Sequence, residues 1–397
     1  MVSRMEAKAQ VLVVGAGPIG LMTALHLKRR GVEVKIVDRA EQGSAHSFAV
    51  VLHPCTVEML AELGLVDPLR WQGHSFNRMA VFANGERVAR LTLPVDGQFA
   101  NGGLTLPQDV LRSALETALR AAGVEVEYEH TFAHLEQRGN EVRSWLSTAP
   151  HSAGESVGSK ARNQETCVVS TFLIGADGVQ SAVREQLGIA PVQVGKERPF
   201  AFFDVPQPAL AEATAELAIG EYSSAVYPLR GGSTRYSFEL PSLPNHELRL
   251  KELRELQQER MPWHPTRLDA MEWSGVRSFQ PMFAERFGYW RTWLVGDACH
   301  VTSPIGAQSL NVGLREAREL AHAIADCVKG GKLEHLSSGY AEQRRLEWRR
   351  LLAIGERSFG PRAPVWAVRH FEQLISCLPG SRDDLDDLLE QLGISVL

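Results

Sequence analysis

The sequence predicts an α/β fold in which a Rossmann-like nucleotide-binding domain carries an inserted, mostly antiparallel β-sheet and C-terminal helices. Three observations lead there. Residues 10–38 run strand, glycine turn, helix and strand (QVLVV, GAGPIG, LMTALHLKRRG, VEVKIVD), which is one βαβ unit. Apolar strand-like runs return as CVVSTFLIGAD at 167–177 and WRTWLVGDA at 290–298, each ending in small residues. Between them FAFFDV, SSAVYPL and TRYSFEL, within residues 200–240, read as strands with no helices between them, the pattern of an antiparallel sheet.

The remaining elements follow in order. A helix runs from Pro54 towards Gly64, and another follows Pro107 with Val110, Leu111, Ala114, Leu115 and Leu119 at helical spacing. Ser147–Thr166 is rich in Ser and Gly with mixed charges, an exposed hairpin tip or loose loop without a functional role. Glu247–Arg260 is a charged helix. Leu310–Val328 and Gly339–Leu352 are long helices, and the C-terminal residues hold an amphipathic segment and the acidic run RDDLDDLLEQL. In the amphipathic segment Trp366, Phe371, Leu374, Ile375 and Leu378 form a stripe that reads as core packing.

Composition narrows the function classes. The 397 residues are 44% hydrophobic and 22% charged, which excludes a disordered, collagenous or coiled-coil chain. At roughly 150 residues per domain this length makes two or three structural units. The balance of 42 Lys+Arg against 47 Asp+Glu leaves a net charge of -5, which argues against general attraction to nucleic acid or anionic lipid. Five Cys without CxxC spacing read as reduced cytoplasmic thiols, and 13 His without HExxH or HxH give no metal site. The N-terminal MVSRMEAKA lacks the apolar core of a signal peptide, and no run of about eighteen apolar residues occurs, so neither export nor a membrane span is expected.

Three motifs carry chemistry. In Gly15-Ala16-Gly17-Pro18-Ile19-Gly20, Gly15 permits the tight turn and Gly17 lets backbone N–H groups approach a pyrophosphate at the helix N-terminus. Gly20 allows close packing of helix on strand, and Asp38, ending the next strand, accepts from a ribose hydroxyl. The second motif, GADGVQSAVREQLG from Gly175, joins a strand to a helix; Asp177 reads either as the cap of that helix or as a ligand-binding acid. The third is Gly296-Asp297-Ala298-Cys299-His300 followed by SPIGAQSLNVG and a long helix. There Asp297 can reach sugar hydroxyls, and a second helix N-terminus can stabilise negative charge on a flat ring.

The order GxGxxG, GADGxxSxVR and GDAxHxxxPxGxQxxNxG resembles the FAD-dependent aromatic hydroxylases of the p-hydroxybenzoate hydroxylase type over nearly the whole chain. The resemblance implies FAD as cofactor, with Gly15, Gly17, Pro18, Ile19 and Gly20 at its pyrophosphate, Asp38 at the adenosine ribose and Arg39 near the adenine. It implies Gln108 beside the flavin, Asp177 near FAD and the nicotinamide nucleotide, and Gly296 and Asp297 on the ribityl chain. Pro304, Gly306, Ala307, Gln308, Ser309, Leu310 and Asn311 would border the isoalloxazine; the catalytic residue is left open, with Pro304 and Gly306 of the flavin loop as candidates. It further implies NAD(P)H as a transient cosubstrate, O2, and hydroxylation of an electron-rich aromatic or heteroaromatic compound through a flavin C4a-hydroperoxide. No side-chain nucleophile is required.

Implied boundaries are 1–75, 102–185 and 280–340 for a discontinuous FAD-binding domain, 76–101 and 186–279 for the substrate sheet, and 341–397 for a C-terminal helical region. In the sheet Phe202, Tyr222 and Tyr227 are candidate substrate contacts. The chain resembles the short form without a C-terminal thioredoxin-like domain, as a monomer or homodimer in the cytoplasm. Departures stand out: Phe48-Ala49 replaces the common Arg-Ala pair, leaving His46 or Arg39 to supply a guanidinium or imidazolium instead. The flavin loop reads Gly306-Ala307-Gln308-Ser309 where Gly-Gly-Gln-Gly is usual, and Glu316 stands for the usual Asp.

Alternatives from other classes are a flavin-dependent halogenase, an epoxidase, a two-component monooxygenase fed free reduced flavin, and a non-catalytic flavin-carrying sensor. The GWxWxIP signature of halogenases is absent. His300 reads as hydrogen-bonded structure and Cys299 as a small buried residue.

Overall fold

The structure is a computed structural model that describes residues 6–42, 48, 50–93, 102–148, 164–207, 214–264, 267–355 and 357–394. In chain order, β1 (Glu6–Val14), α1 (Pro18–Arg29) and β2 (Val34–Val37) form the first βαβ unit, and β3 (Arg78–Ala83) and β4 (Glu86–Thr92) a hairpin. Next come α2 (Gln108–Ala121), β5 (Gln164–Gly175) and the short α3 (Ala182–Gln186). The inserted strands are β6 (Arg198–Pro206), β7 (Thr214–Ile219), β8 (Ser224–Pro228), β9 (Ser233–Glu239) and β10 (Trp273–Phe279). Strand β11 (Thr292–Leu294), helix α4 (Gln308–Val328), helix α5 (Glu342–Leu351) and helix α6 (Phe371–Cys377) complete the parts that matter here.

Two sheets organise the molecule. In the first, β11, β5, β1 and β2 lie side by side and parallel, so the turns after β1, β5 and β11 open along one edge. That is where an open parallel sheet gathers its ligand-binding loops. The second sheet has the order β10-β6-β9-β8-β7-β3-β4 and is antiparallel throughout except for β7 against β3. The early hairpin β3–β4 therefore completes a sheet made mostly from residues 198–279.

The core follows the sequence pattern. Val11, Leu12 and Val13 of the central strand are fully buried on both faces, and α2 turns Leu111, Leu115 and Leu119 inward at the expected spacing. Each such leucine contributes on the order of 1.5–3 kcal/mol by leaving water. On β6, Phe200 and Phe202 face the large core shared with the first sheet, while Ala201 and Phe203 face a separate core under residues 248–268. Period-two alternation thus splits one aromatic run between two compartments.

Several elements differ from expectation in extent. The helix expected to begin at Gly339 begins at His335, with π-helical turns through Ala341 before Glu342–Leu351. The run from Trp290 is a strand only over Thr292–Leu294, because Gly296 adopts φ +67° and starts a single 3-10 turn. Of the loop expected over Ser147–Thr166, residues 149–163 lie outside the described residues; the flanking strands pair antiparallel with Thr148 opposite Gln164. No described helix is long and apolar enough to cross a membrane.

Candidate functional site

The turns at the edge of the first sheet enclose a cleft of about 430 Å³ that brings all three motifs together. At one end lies the glycine turn. Gly15 has φ +107°, and a Cβ there would meet the Ala176 carbonyl oxygen at 2.2 Å; one on Gly20 would meet the Gly15 carbonyl oxygen at 1.9 Å. These glycines let the first motif, the second motif and α1 touch backbone to backbone. Gly17 differs: a Cβ on it would meet nothing within 4 Å, because the residue faces the cleft at the N-cap of α1. No side chain caps α1 and its first turn holds no acid, so the positive end of the helix faces open space.

Asp38 ties this turn together. Its Oδ2 accepts from the Ala16 N–H at 2.6 Å and its Oδ1 from the Ala40 N–H at 2.9 Å, and the residue also lines the cleft. Arg39 is exposed and does not line it. Gln108 does, as the first residue of α2. Asp177 acts chiefly as a cap: its Oδ1 accepts from the Ser181 hydroxyl at 2.5 Å and its Oδ2 from the Val183 N–H at 3.1 Å. Burial raises its carboxyl above the ordinary value against those bonds, while its neighbours Ala176, Gly178 and Val179 form the cleft wall.

At the middle of the cleft Asp297 projects from the 3-10 turn after β11. Its carboxylate has no hydrogen-bond partner among the described residues. Burial pushes its carboxyl upward, opposed by the charges of His300 and Arg277. His300 itself is structural: its Nε2 lies 2.6 Å from Glu316 Oε2, its ring stacks at 3.7 Å on Trp348, and Trp348 Nε1 donates to Glu316 Oε1 at 2.7 Å. Cys299 is fully buried, and burial raises its thiol well above the ordinary value.

The far end is the loop from Thr302 to Asn311, and its residues divide by direction. Pro304, Ala307, Ser309 and Leu310 line the cleft. Gly306, Gln308 and Asn311 do not line it; they fasten the loop from behind. Asn311 Oδ1 accepts from the His53 N–H at 2.7 Å, while its Nδ2 donates to Val51 at 2.9 Å and Ala307 at 2.8 Å. Gln308 Nε2 donates to the Ile375 carbonyl at 2.6 Å, and a Cβ on Gly306 would meet the Ser376 carbonyl oxygen at 2.6 Å. The segment around α6 therefore packs directly on the loop. His53, buried and neutral with its pKa lowered to about 4 by burial, bonds the Gly306 carbonyl at 2.7 Å.

Sequence reasoning missed the cleft's second-sheet wall. Arg277 of β10 lines the cleft with Ser278, Phe279 and Gln280, and its guanidinium stands 5.4 Å from the centre of the Phe48 ring. A cation thus reaches the place where Phe48 replaces an arginine, and it comes from β10 instead of Arg39; His46 lies outside the described residues. A signal existed in the Phe48 departure, but no local pattern connects residue 48 to residue 277. The three sheet aromatics are not brought into the cleft. Phe202 packs against Phe48 and Phe279, Tyr222 lies under the Arg260 guanidinium, and Tyr227 donates to the Ile305 carbonyl at 3.1 Å.

The cleft fits FAD. A helix N-terminus with no side-chain cap, an open Gly17 cradle and an acid with no hydrogen-bond partner among the described residues are what a pyrophosphate and a polyol chain would engage. The sequence profile described as FAD binding domain matches residues 8–353. The chain is 29% identical to 6-methylpretetramide 4-monooxygenase of Streptomyces rimosus over 84% of its length, and 28% identical to an uncharacterized aromatic compound monooxygenase of Bacillus subtilis over 86%. It spans 59% and 66% of the lengths of those two proteins. It shares its fold with p-nitrophenol 4-monooxygenase of Pseudomonas putida, with a TM-score of 0.74, 23% identity and coverage of 98% of this chain and 97% of that one. The chain belongs to the family described as FAD binding domain, and the relatives it matches include monooxygenases.

Proposed function

We propose that this protein is an NAD(P)H- and O2-dependent FAD monooxygenase that hydroxylates an electron-rich aromatic or heteroaromatic small molecule. The observation that carries the reading is the single cleft joining an uncapped helix start, the unpartnered Asp297 and the lined face of the 302–311 loop. In this reading Gly17 and the α1 N-terminus hold the pyrophosphate, Asp38 the adenosine ribose, Asp297 the ribityl hydroxyls, and Pro304, Ala307, Ser309 and Leu310 border the flavin ring. Residues 1–75, 102–185 and 280–340 serve the cofactor, 76–101 and 186–279 form the substrate sheet, and 341–397 close it from behind.

Bound FAD supplies electron transfer from NAD(P)H and activation of O2. The chain's own residues position and seclude. Asn311, Gln308 and His53 fix the loop geometry, so the lined face keeps one shape beside the ring. Phe48 and Phe279 give the second-sheet wall an apolar surface, and Arg277 supplies a positive charge there for phosphate or developing negative charge.

The test is purified FAD-loaded protein given NADH or NADPH and a panel of phenols, naphthols and hydroxyquinolines. The reading expects some panel member to stimulate NAD(P)H oxidation and to gain one oxygen atom. It fails if no aromatic compound changes the rate. Turnover only with free reduced flavin supports the two-component alternative, and halide incorporation the halogenase.

A further inference from the structure

A second cavity, of about 400 Å³, adjoins the flavin-loop end of the cleft, and Thr302 and Ser303 line both. Its apolar wall comes from Phe200 on β6 and from Leu351 and Leu352 at the end of α5. Its polar wall is built around an ion pair between a buried acid and a partly exposed arginine. Glu239 of β9, its side chain 6% exposed, accepts from Arg198 Nη1 at 2.9 Å through Oε1 and from the Ser223 N–H at 3.0 Å through Oε2. Arg198 is the only cation among the described lining residues and bonds Glu239 through Nη1; the other ionisable lining residue is a second acid, Glu372, which pairs with Arg357 outside the lining.

We infer that this second cavity receives the ring of the substrate and selects a hydroxylated aromatic compound that carries no carboxylate. The inference rests on the monooxygenase reading above. Location supports it, because the shared Thr302–Ser303 wall sets the cavity against the loop that would border the flavin ring. Chemistry supplies the selection. Each carboxylate oxygen accepts more than one hydrogen bond, so Glu239 retains capacity for a phenolic O–H, and the Ser303 hydroxyl adds another partner. A substrate carboxylate entering the same space would be desolvated beside a like charge. Arg198 bonds Glu239 through Nη1 alone, so a substrate carboxylate pairing with its other N–H groups would leave two acids sharing one guanidinium in the cavity.

The experiment titrates purified FAD-loaded protein with orcinol and with its ring-carboxylated counterpart orsellinate, reading each Kd from the change in flavin absorbance. Orcinol should bind at least about tenfold more tightly. Glu239→Gln frees Arg198 and should bring the two affinities together; Arg198→Gln leaves the acid bare and should widen the gap. Opposite movements in two variants that both break the same ion pair are not produced by general damage to the sheet. Equal or tighter binding of orsellinate to the unaltered protein, no absorbance change with either compound, or both variants moving the ratio the same way would overturn the inference. Because binding is read without turnover, the expected affinity ratio in a protein that never couples NAD(P)H oxidation to product would retain the chamber and remove the reaction.

Discussion

At the pyrophosphate end of the cleft, Gly15, Gly17 and Gly20 stand within one turn and the first turn of its helix; Gly20 packs on the Gly15 carbonyl and Gly15 on Ala176 at the end of the neighbouring strand, while Gly17 faces open space. At the flavin-loop end the helix also starts without a side-chain cap, yet its N-cap is Ala307 at φ +51°, a left-handed conformation that costs an alanine roughly 1–2 kcal/mol. That loop is held by long-range bonds instead: Asn311 to Val51 and His53, Gln308 to Ile375, and Tyr227 to Ile305. The difference teaches that one end is shaped by local residue choice and the other by the assembled fold. Cofactor affinity should follow the first and the chemistry of the ring the second.

The largest effect should break the first end. Gly20→Ala places a Cβ 1.9 Å from a backbone oxygen, so β1 and α1 must separate at a cost on the order of several kcal/mol, seen as a large drop in melting temperature. Gly17→Val, with open space around its Cβ, should leave the melting of the FAD-free protein nearly unchanged while FAD no longer copurifies. If the two variants melt alike, the distinction between packing glycine and cradle glycine is wrong.

Next is Asn311→Ala, which strands the His53 N–H and the Val51 carbonyl, while the Ala307 carbonyl keeps the backbone N–H of residue 311, and should cost about 2–4 kcal/mol in urea unfolding. An unchanged midpoint would mean the loop is not fastened from behind. Asp297→Ala is smaller in stability and specific in function. FAD should bind roughly ten- to a hundredfold more weakly, about 1.5–3 kcal/mol, while the FAD-free protein is as stable as before or more so, because burial disfavours that charge. Full retention of FAD on gel filtration would remove Asp297 from the ribityl site.

The smallest of these effects is a slope. Burial lowers His53 from 6.5 to about 4 and His26 to about 3. Well above pH 6.5 both are neutral folded or unfolded, so neither makes stability depend on pH there. As pH falls from 6.5 towards 4 the unfolded chain takes protons that the folded one refuses, so stability falls through that window. His53→Gln should flatten part of the fall in urea midpoint; a midpoint flat from pH 7 to about 4.5 in the unaltered protein would contradict the buried neutral histidines.

The same contrast explains what could be read before the fold was known. The βαβ unit, the second sheet and the three motifs rest on spacing within a few residues, and each appears where the pattern puts it. Gly15, Gly20 and Asp38 could be given roles because strand, turn and helix are contiguous. Gln308 and Asn311 were legible as loop residues, but their direction was not: their partners lie at 375 and at 51–53. Arg277 was invisible for the same reason, since only sheet order brings β10 over Phe48. The aromatic run on β6 shows the limit in one strand, where pattern gave apolar faces and the assembly decided which face meets which core.

The central claim, that affinity for FAD resides at the pyrophosphate end and efficiency of oxygen transfer at the loop, meets its most direct test in one double variant. Ala307→Gly with Ser309→Gly relieves the left-handed alanine, removes the Ser309 hydroxyl that accepts from the Thr302 N–H at 3.0 Å, and strips both side chains from the cleft wall. FAD affinity and the ratio of hydroxylated product to NAD(P)H consumed are measured in the same preparation. The account predicts that the product ratio changes while FAD affinity stays within about threefold, less than 1 kcal/mol. An unchanged product ratio together with collapsed FAD binding would show that the loop is a clamp for the cofactor, and the division of labour between the two ends would be contradicted.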